Sequence, residues 1–281
     1  MERSAQNAFA VEYARNIRDN DPGMGMAKIW YKYQQDFRSE RSVLGRDQFL
    51  TLLTNEGMKV RRKPRKTRTT DSSHGLPTFP DLAKSFIPQT SNQLWVSDIT
   101  YIPIWHANGN YIFCYLSLIM DAYSKEIIGW SIGDSLKTEY PLKALEMALV
   151  RIKDKNVSLI HHSDRGVQYA SSEYVQLLKK NNIKISMTET GDPKDNAQAE
   201  RINNTMKNEL LKDMEFHCIG AVKDAVDKAT HYYNNSRPHM SLNMLTPVQA
   251  STLYGPIHKR WTSYREKAIQ RETETKAITS D

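Results

Sequence analysis

The sequence predicts an α/β fold built on a mixed sheet, and three observations carry that prediction. Three runs rich in β-branched and aromatic residues, Leu94 to Ile102, Tyr111 to Met120 and Glu126 to Ile132, follow one another with turn residues between them. Asn108-Gly109-Asn110 is a hairpin signal, so these runs are expected to pair antiparallel. After the third run, helical and extended patterns alternate, which is how a sheet is continued by crossover units. The composition agrees: of 281 residues, 39% are hydrophobic and 25% charged, enough apolar material to bury real cores.

Taken in order, the chain opens with three helical stretches, Ser4 to Arg18, Gly25 to Phe37 and Arg46 to Glu56, each with apolar residues near helical spacing. Asn20-Asp21-Pro22-Gly23 breaks the first from the second, and Gly57 stops the third. In the third stretch Phe49, Leu50, Leu52 and Leu53 face a core, leaving Arg46, Gln48 and Thr51 for solvent or DNA. Short helices with tight breaks fit a helix-turn-helix unit, and a plain helical cap fits them as well. Beyond the three strands come an amphipathic helix from Thr138 to Lys153, a strand from Val157 to His161, a helix from Ser172 to Lys180 and a strand from Ile183 to Met187. A long helix is expected after Gly191-Asp192-Pro193-Lys194, capped by Asp195 or Asn196 and running to Asp213. Its apolar stripe is Ala199, Ile202, Met206 and Leu210. Glu200, Asn203, Asn204 and Lys207 lie on an adjacent face, seven residues being close to two turns. The remainder is helical from His217 to Tyr233, then a proline-containing turn, then Thr246-Pro247-Val248-Gln249 in capping-box register. The last twenty residues are polar and read as a loose or docked tail.

These patterns divide the chain into a helical unit (1–58), a basic linker (59–92), an α/β core (93–215) and a C-terminal helical region with its tail (216–281). The net charge of +7 is unevenly spread over them. Residues 1–92 carry 16 basic and 10 acidic groups, residues 93–215 carry 14 and 16, and residues 216–281 carry 9 and 6. Between Lys59 and Arg68 seven of ten residues are cationic: Lys59, Arg61, Arg62, Lys63, Arg65, Lys66 and Arg68. Such a run repels itself in a free chain but neutralises phosphates one by one, so a DNA-tracking segment and a solvated linker are the two readings. Only two cysteines, Cys114 and Cys218, stand far apart, which excludes a disulfide scaffold and points to a reducing compartment. The first twenty residues lack the order of a signal peptide and the apolar run from Tyr111 to Met120 is too short to span a bilayer, so a cytoplasmic protein without membrane attachment is expected.

Three acidic residues stand out by their settings. Asp98 lies inside a strand, where aspartate is disfavoured; Asp164 follows the fourth strand; and Glu200 lies on the early turns of the long helix. Thirty-five residues separate Asp164 from Glu200, a spacing that 17 Asp and 15 Glu produce by chance about once. What raises its weight is that two strand positions and a helix packed on the sheet can converge on one site. Carboxylates gathered there repel unless cations compensate, and hard oxygen ligands suit Mg²⁺ or Mn²⁺. Two such ions activate a water or a 3′-hydroxyl for in-line attack on a phosphodiester.

The segments Trp95-Val96-Ser97-Asp98-Ile99-Thr100-Tyr101-Ile102, His162-Ser163-Asp164-Arg165-Gly166-Val167-Gln168-Tyr169 and Asp195-Asn196-Ala197-Gln198-Ala199-Glu200-Arg201, with Lys207-Asn208-Glu209, resemble in order and spacing the three blocks of bacterial insertion-sequence transposases with a retroviral-integrase-like DDE core. The helices before Lys59 are similar to that group's second helix-turn-helix. Tyr233-Asn234, Arg237-Pro238-His239, Ser241-Leu242 and Thr246-Pro247 look like its C-terminal block. The resemblance implies an RNase H-like sheet, two divalent ions per site, cleavage at element ends and strand transfer into target DNA. By matching position it makes Asp98, Asp164 and Glu200 metal ligands and Lys207 a DNA contact near the scissile end. Asn196, His162 and Gln168 become supporting residues, each with a capping or structural role as the other reading, and for Tyr169 the structural role is favoured. It further implies a homo-oligomer of at least two subunits on the element's terminal repeats, at the nucleoid through its DNA.

Lys194 departs from the pattern, since an aromatic residue is common there. The chain corresponds to the downstream of two reading frames in that group, so the upstream-frame protein is an expected partner. A non-catalytic DNA-binding product that needs that partner is the alternative, and a housekeeping nuclease of the same fold is a third reading. No zinc-ligand spacing, P-loop or dinucleotide fingerprint is present, and Asp121 is read as a turn cap through Tyr123-Ser124.

Overall fold

The computed structural model describes residues 2–38, 43–60, 75–152, 158–189 and 196–261, together with 266, 267 and 269. Three helices come first: α1 (Glu2–Asn20), α2 (Met26–Asp36) and α3 (Arg46–Asn55). They enclose a core of their own, in which Ala10, Ala14, Ile29, Phe49 and Leu53 are fully buried around Tyr33. Tyr33 meets the rings of Tyr13, Phe37 and Phe49 at centroid separations of 5.0 to 5.5 Å, the range in which aromatic pairs add to simple burial.

The sheet follows. β1 (Leu94–Trp105), β2 (Tyr111–Asp121) and β3 (Ile127–Gly133) form the antiparallel meander expected from their turn signals. Helix α4 (Glu139–Leu149) then crosses to β4 (Ile160–Ser163), the short α5 (Val167–Ala170) and α6 (Ser172–Lys180) lead to β5 (Lys184–Met187), and the spatial order is β3-β2-β1-β4-β5. β4 lies parallel to both β1 and β5, so the sheet is mixed, with β1 at its centre. One face is covered by α4, α5 and α6 over Trp95, Ile119, Tyr174 and Leu178. The approach of α4 is close: a Cβ on Gly129 of β3 would come within 2.1 Å of the Ala144 carbonyl oxygen, so only glycine fits.

The opposite face is covered by α7 (Ala197–Thr205), which continues as a π turn (Met206–Leu210), and by α8 (Ile219–Asn235). Leu94, Val96, Leu116 and Leu118 of the sheet meet Ala199, Ile202, Met206, Val222 and Val226 there. The chain closes with a 3-10 turn (Met240–Leu242) and the one-turn α9 (Pro247–Ala250), where Thr246 and Gln249 form the expected capping box. Tyr232 of α8 packs against both the sheet core and the core of α1 to α3.

The expected strand at Val157 to His161 begins and ends later, at Ile160–Ser163. His161, His162 and Ser163 look polar in sequence yet are each 1% exposed, because a strand inside a parallel array is covered on both faces. The expected single helix to Asp213 is interrupted: after Thr205 the winding changes to the π turn, with the Leu211 amide bonding the Met206 carbonyl at 2.9 Å. Of the cationic run only Lys59 falls among the described residues, and it is exposed. Arg61, Arg62, Lys63, Arg65, Lys66 and Arg68 lie outside them, as do Lys194, Asp195 and most of the tail. Among the described residues no helix is long and apolar enough to cross a membrane.

Candidate active site

The central strand supplies the first carboxylate. Along β1 alternate side chains point to opposite faces, and Leu94 and Val96 belong to the face covered by α7, so Asp98 faces α7 as well. The parallel register pairs Val96 with His162, and continuing it two residues sets Asp98 level with Asp164, just past the end of β4. Asp164 is fixed locally: its Oδ1 accepts the Gly166 amide at 2.9 Å, turning the chain into α5.

Helix α7 brings the third. Ala199 and Ile202 are 1% and 3% exposed in the core, which turns Glu200 and Asn203 toward β1. Two amides hold the helix to that strand. Asn196 Nδ2 donates to the Ser97 carbonyl at 3.0 Å, and Asn203 Nδ2 donates to Asp98 Oδ2 at 2.9 Å. Both side-chain carbonyl oxygens are buried with no hydrogen-bond partner among the described residues. Asn196 stands at the N-cap position of α7, but its side chain bonds no helix amide and is spent on β1 instead.

The electrostatics follow from this convergence. The Asp98 carboxyl is pushed up to about 7, first by burial, then by the neighbouring charge of Asp164, with Glu200 adding to it; the Ile99 amide and Asn203 oppose the rise. Lys207 is half-buried in the π turn and its ammonium is pushed down by burial, while Asp98 pulls it the other way. Among the described residues no three His, Cys, Asp or Glu side chains close into a ready-made metal cage. Three like charges resist being drawn together, and Asp98 already carries the cost of two neighbours. An all-oxygen donor set of carboxylates around a half-buried carboxyl with two like-charged neighbours fits a hard divalent cation.

The remaining sequence candidates make contacts of their own. His162 Nδ1 is 2.9 Å from Ser186 Oγ on β5 and 3.7 Å from Asp81, placing it in the joint between the sheet and the segment leading into it. Gln168, 9% exposed, donates to the Leu136 carbonyl at 2.9 Å and ties α5 to the loop before α4. Tyr169 accepts from Ser97 Oγ at 2.9 Å, and Tyr174 meets His161 Nε2 at 3.0 Å, so a buried polar string backs the strand residue beside Asp98. Arg46 opens α3, exposed and paired with its neighbour Asp47 at 3.2 Å, remote from the carboxylates in the chain's first helical unit. Asp121 caps its turn as expected, accepting the Tyr123 and Ser124 amides at 3.0 and 2.8 Å. The bond from Asn203 to Asp98 was not anticipated. Its signal was present, since Asn203 sits three residues after Glu200 on the face that bears the carboxylate.

Comparison with known proteins shows the family to which the chain is similar. Residues 88–193 match the integrase core domain family, and residues 181–247 match a second integrase core domain family. A 31 kDa protein of insertion element IS600 from Shigella sonnei is 32% identical over 222 residues, 77% of this chain and 78% of that one. The transposase for insertion element IS629, also from Shigella sonnei, is 30% identical over 244 residues, covering 86% and 78%. Among solved structures, a chain of the simian T-cell lymphotropic virus intasome in complex with the PP2A regulatory subunit B56 gamma superposes with a TM-score of 0.50 at 16% identity. The match covers 85% of this chain and 76% of that one, a likeness of fold.

Proposed function

This chain belongs to the bacterial insertion-sequence transposases with an integrase-like, RNase H-like core, and from that premise we propose that it cuts DNA at the ends of its element and joins the freed 3′ ends to target DNA, with Asp98, Asp164 and Glu200 as the metal-binding catalytic set. The observation that carries the proposal is the convergence of the three carboxylates: one on the central strand, one past the adjacent parallel strand, one on the helix pinned to that strand by Asn196 and Asn203. Two Mg²⁺ or Mn²⁺ ions held there would supply activation of the attacking oxygen and charge stabilisation at the leaving oxygen. The protein's own part is positional. Asp98 is clamped by Asn203 and the Ile99 amide, Asp164 is clamped by the Gly166 amide, and their separation is set by strand pairing. Lys207, close enough to feel the charge of Asp98, is placed to bind a phosphate of the entering strand. In the cutting step a water oxygen bonds to phosphorus and the 3′ oxygen leaves, taking a proton. In the joining step that 3′ oxygen attacks a second phosphodiester, whose own 3′ oxygen leaves in turn. The helical unit α1 to α3, with Arg46 at the start of α3, and the cations from Lys59 to Arg68 would hold the terminal repeats by their phosphates, the chain acting as an oligomer of at least two copies.

The test is joining of element-end DNA in the presence of Mg²⁺ by the wild type and by Asp164→Asn. The wild type is expected to join and the variant to show no product. Equal activity in the two would sink the assignment.

A further inference from the structure

The C-terminal motif Arg237-Pro238-His239 plays no part in the chemistry above, yet Arg237 is 2% exposed and lies at the junction of three parts of the molecule. Its Nε donates to Asp21 Oδ2 at 2.7 Å, and its Nη2 bonds the carboxylate of Glu209. Asp21 is completely buried in the turn between α1 and α2; Glu209 belongs to the π turn that ends the catalytic helix; Arg237 follows the end of α8. The backbone makes the same connection. The Gly23 amide donates to the Glu209 carbonyl at 3.0 Å, and a Cβ on Gly23 would fall 2.4 Å from Glu209 Cα, so the turn and the helix lie in direct contact.

Glu209 is therefore gripped twice, by its carbonyl and by its carboxylate, from two different parts of the chain. Lys207 sits two residues before it in the same π turn, directed to the carboxylate site. Met206 and Leu210, 0% and 1% exposed, pin the turn to the sheet core on the side between them. A π turn is a rare, locally unfavourable winding that shifts the side chains within it relative to a regular α-helix. It persists where its surroundings over-determine it. Here the surroundings are the double grip on Glu209.

We infer that Arg237, through Glu209, is a positioning residue for Lys207: the buried Asp21–Arg237–Glu209 cluster fixes the π turn and with it the reach of the lysine toward the strand entering the site. The catalytic helix then reports to two places at once. One face meets the carboxylates, while the other is held by the turn of the N-terminal helical unit, so seating of that unit and placement of Lys207 are a single event. The inference rests on the role given to Lys207 above, and its test separates the two.

Glu209→Gln is the first variant, because glutamine keeps an acceptor oxygen and the Glu209 side chain is 32% exposed, so folding is expected to survive. In the full-length metal-free protein, reductive methylation read by peptide mass spectrometry should show Lys207 labelling changed about threefold or more, with the exposed Lys143 of α4 as unchanged internal reference. In DNA joining, Glu209→Gln should slow the rate about tenfold in the wild-type background and less than twofold in a Lys207→Ala background, because displacement of an absent lysine costs nothing. Unchanged Lys207 labelling with a lowered melting temperature, or full additivity in the cycle, overturns the inference and leaves a merely structural cluster. If Glu209→Gln does not fold, Arg237→Lys, which keeps the charge but loses the planar fork, goes through the same two measurements. Should Lys207→Ala join as well as wild type, the role of the lysine fails, whereas the labelling result still decides whether the cluster sets its position.

Discussion

Two aspartates on neighbouring strands show how differently this protein treats a buried carboxyl. Asp121, the last residue of β2, is 1% exposed and collects four donors: its Oδ1 accepts the Tyr123 amide, the Ser124 amide and the Ser124 hydroxyl at 2.8 to 3.0 Å, and its Oδ2 accepts the Asn92 amide at 2.7 Å. Burial raises the pKa of its carboxyl, and it stays raised although the Ser124 and Asn92 donors and the neighbouring charge of Lys125 oppose the rise. Asp98, on β1, is pushed up by burial too, and its next neighbours are Asp164 and Glu200, two further carboxylates that add to the push. A structural carboxylate is surrounded by hydrogen-bond donors. The candidate catalytic one has carboxylates for neighbours, with Lys207 as a cation that feels its charge, and further positive charge there favours binding of a divalent cation and release of the proton.

The sharpest way to break the comparison is to neutralise each in turn. Asp98→Asn is expected to lower DNA joining by roughly a thousandfold or more, several kcal/mol of charge stabilisation at about 1.4 kcal/mol per tenfold, while leaving the fold intact. Asp121→Ala should do the reverse. Four donors lose their acceptor, at a cost of roughly 3 kcal/mol or more in urea unfolding, while the joining rate per folded molecule is retained. If both variants lose activity and stability together, the two sites are not different in kind.

A smaller effect tests the support beneath Asp98. Asn203→Ala removes the bond that orients its carboxylate, and Mg²⁺ affinity measured by calorimetry should fall about 10- to 100-fold, the usual range for residues that orient a ligand. An unchanged affinity would reduce Asn203 to a packing residue.

The smallest expected effect is thermodynamic. With its carboxyl pushed from the ordinary pKa of 3.8 up to about 7, Asp98 keeps its proton more firmly in the folded metal-free protein than in the unfolded chain. The stability this provides is complete below about pH 4 and is lost as the pH rises through about 7. The melting temperature of Asp98→Asn minus that of the wild type should therefore grow between pH 6 and pH 8 without metal, and shrink when Mg²⁺ is added at pH 8. A difference that is flat with pH would show that Asp98 is not the strained group.

Much of this was legible in the residues. The meander of β1, β2 and β3 follows from runs rich in β-branched and aromatic residues and an Asn-Gly turn, and the capping box at Thr246 forms as its spacing demands. The sequence also singles out the three carboxylates proposed as the catalytic set, because aspartate inside a strand needs an explanation and blocks resembling a known family surround the others. What escaped depends on tertiary surroundings. The sequence expectation for β4 runs early because His162 and Ser163 carry no strand signal of their own and are buried only by the strands and layers around them. The π turn looks like continuous helix in sequence because Met206 and Leu210 keep helical spacing; its contacts with Gly23 and Arg237 come from far away in the chain. Asn196 reads as a cap and serves as a strut to β1, a choice settled by a strand a hundred residues earlier.

The place of β1 in the sheet has a further consequence, for the chain as it is made. The partner on one side, β2, begins after a gap of only five residues, whereas β4, its partner on the other, is complete only at Ser163. Local pairings form before distant ones, so during synthesis the meander closes while one edge of β1 still lacks its neighbour. An open edge strand is where nascent chains stick to one another, and an inward-pointing charge is one of the devices that keep such an edge from pairing wrongly. Asp98, on the side of β1 that α7 later covers, is a charge of that kind on the strand whose edge stays open longest.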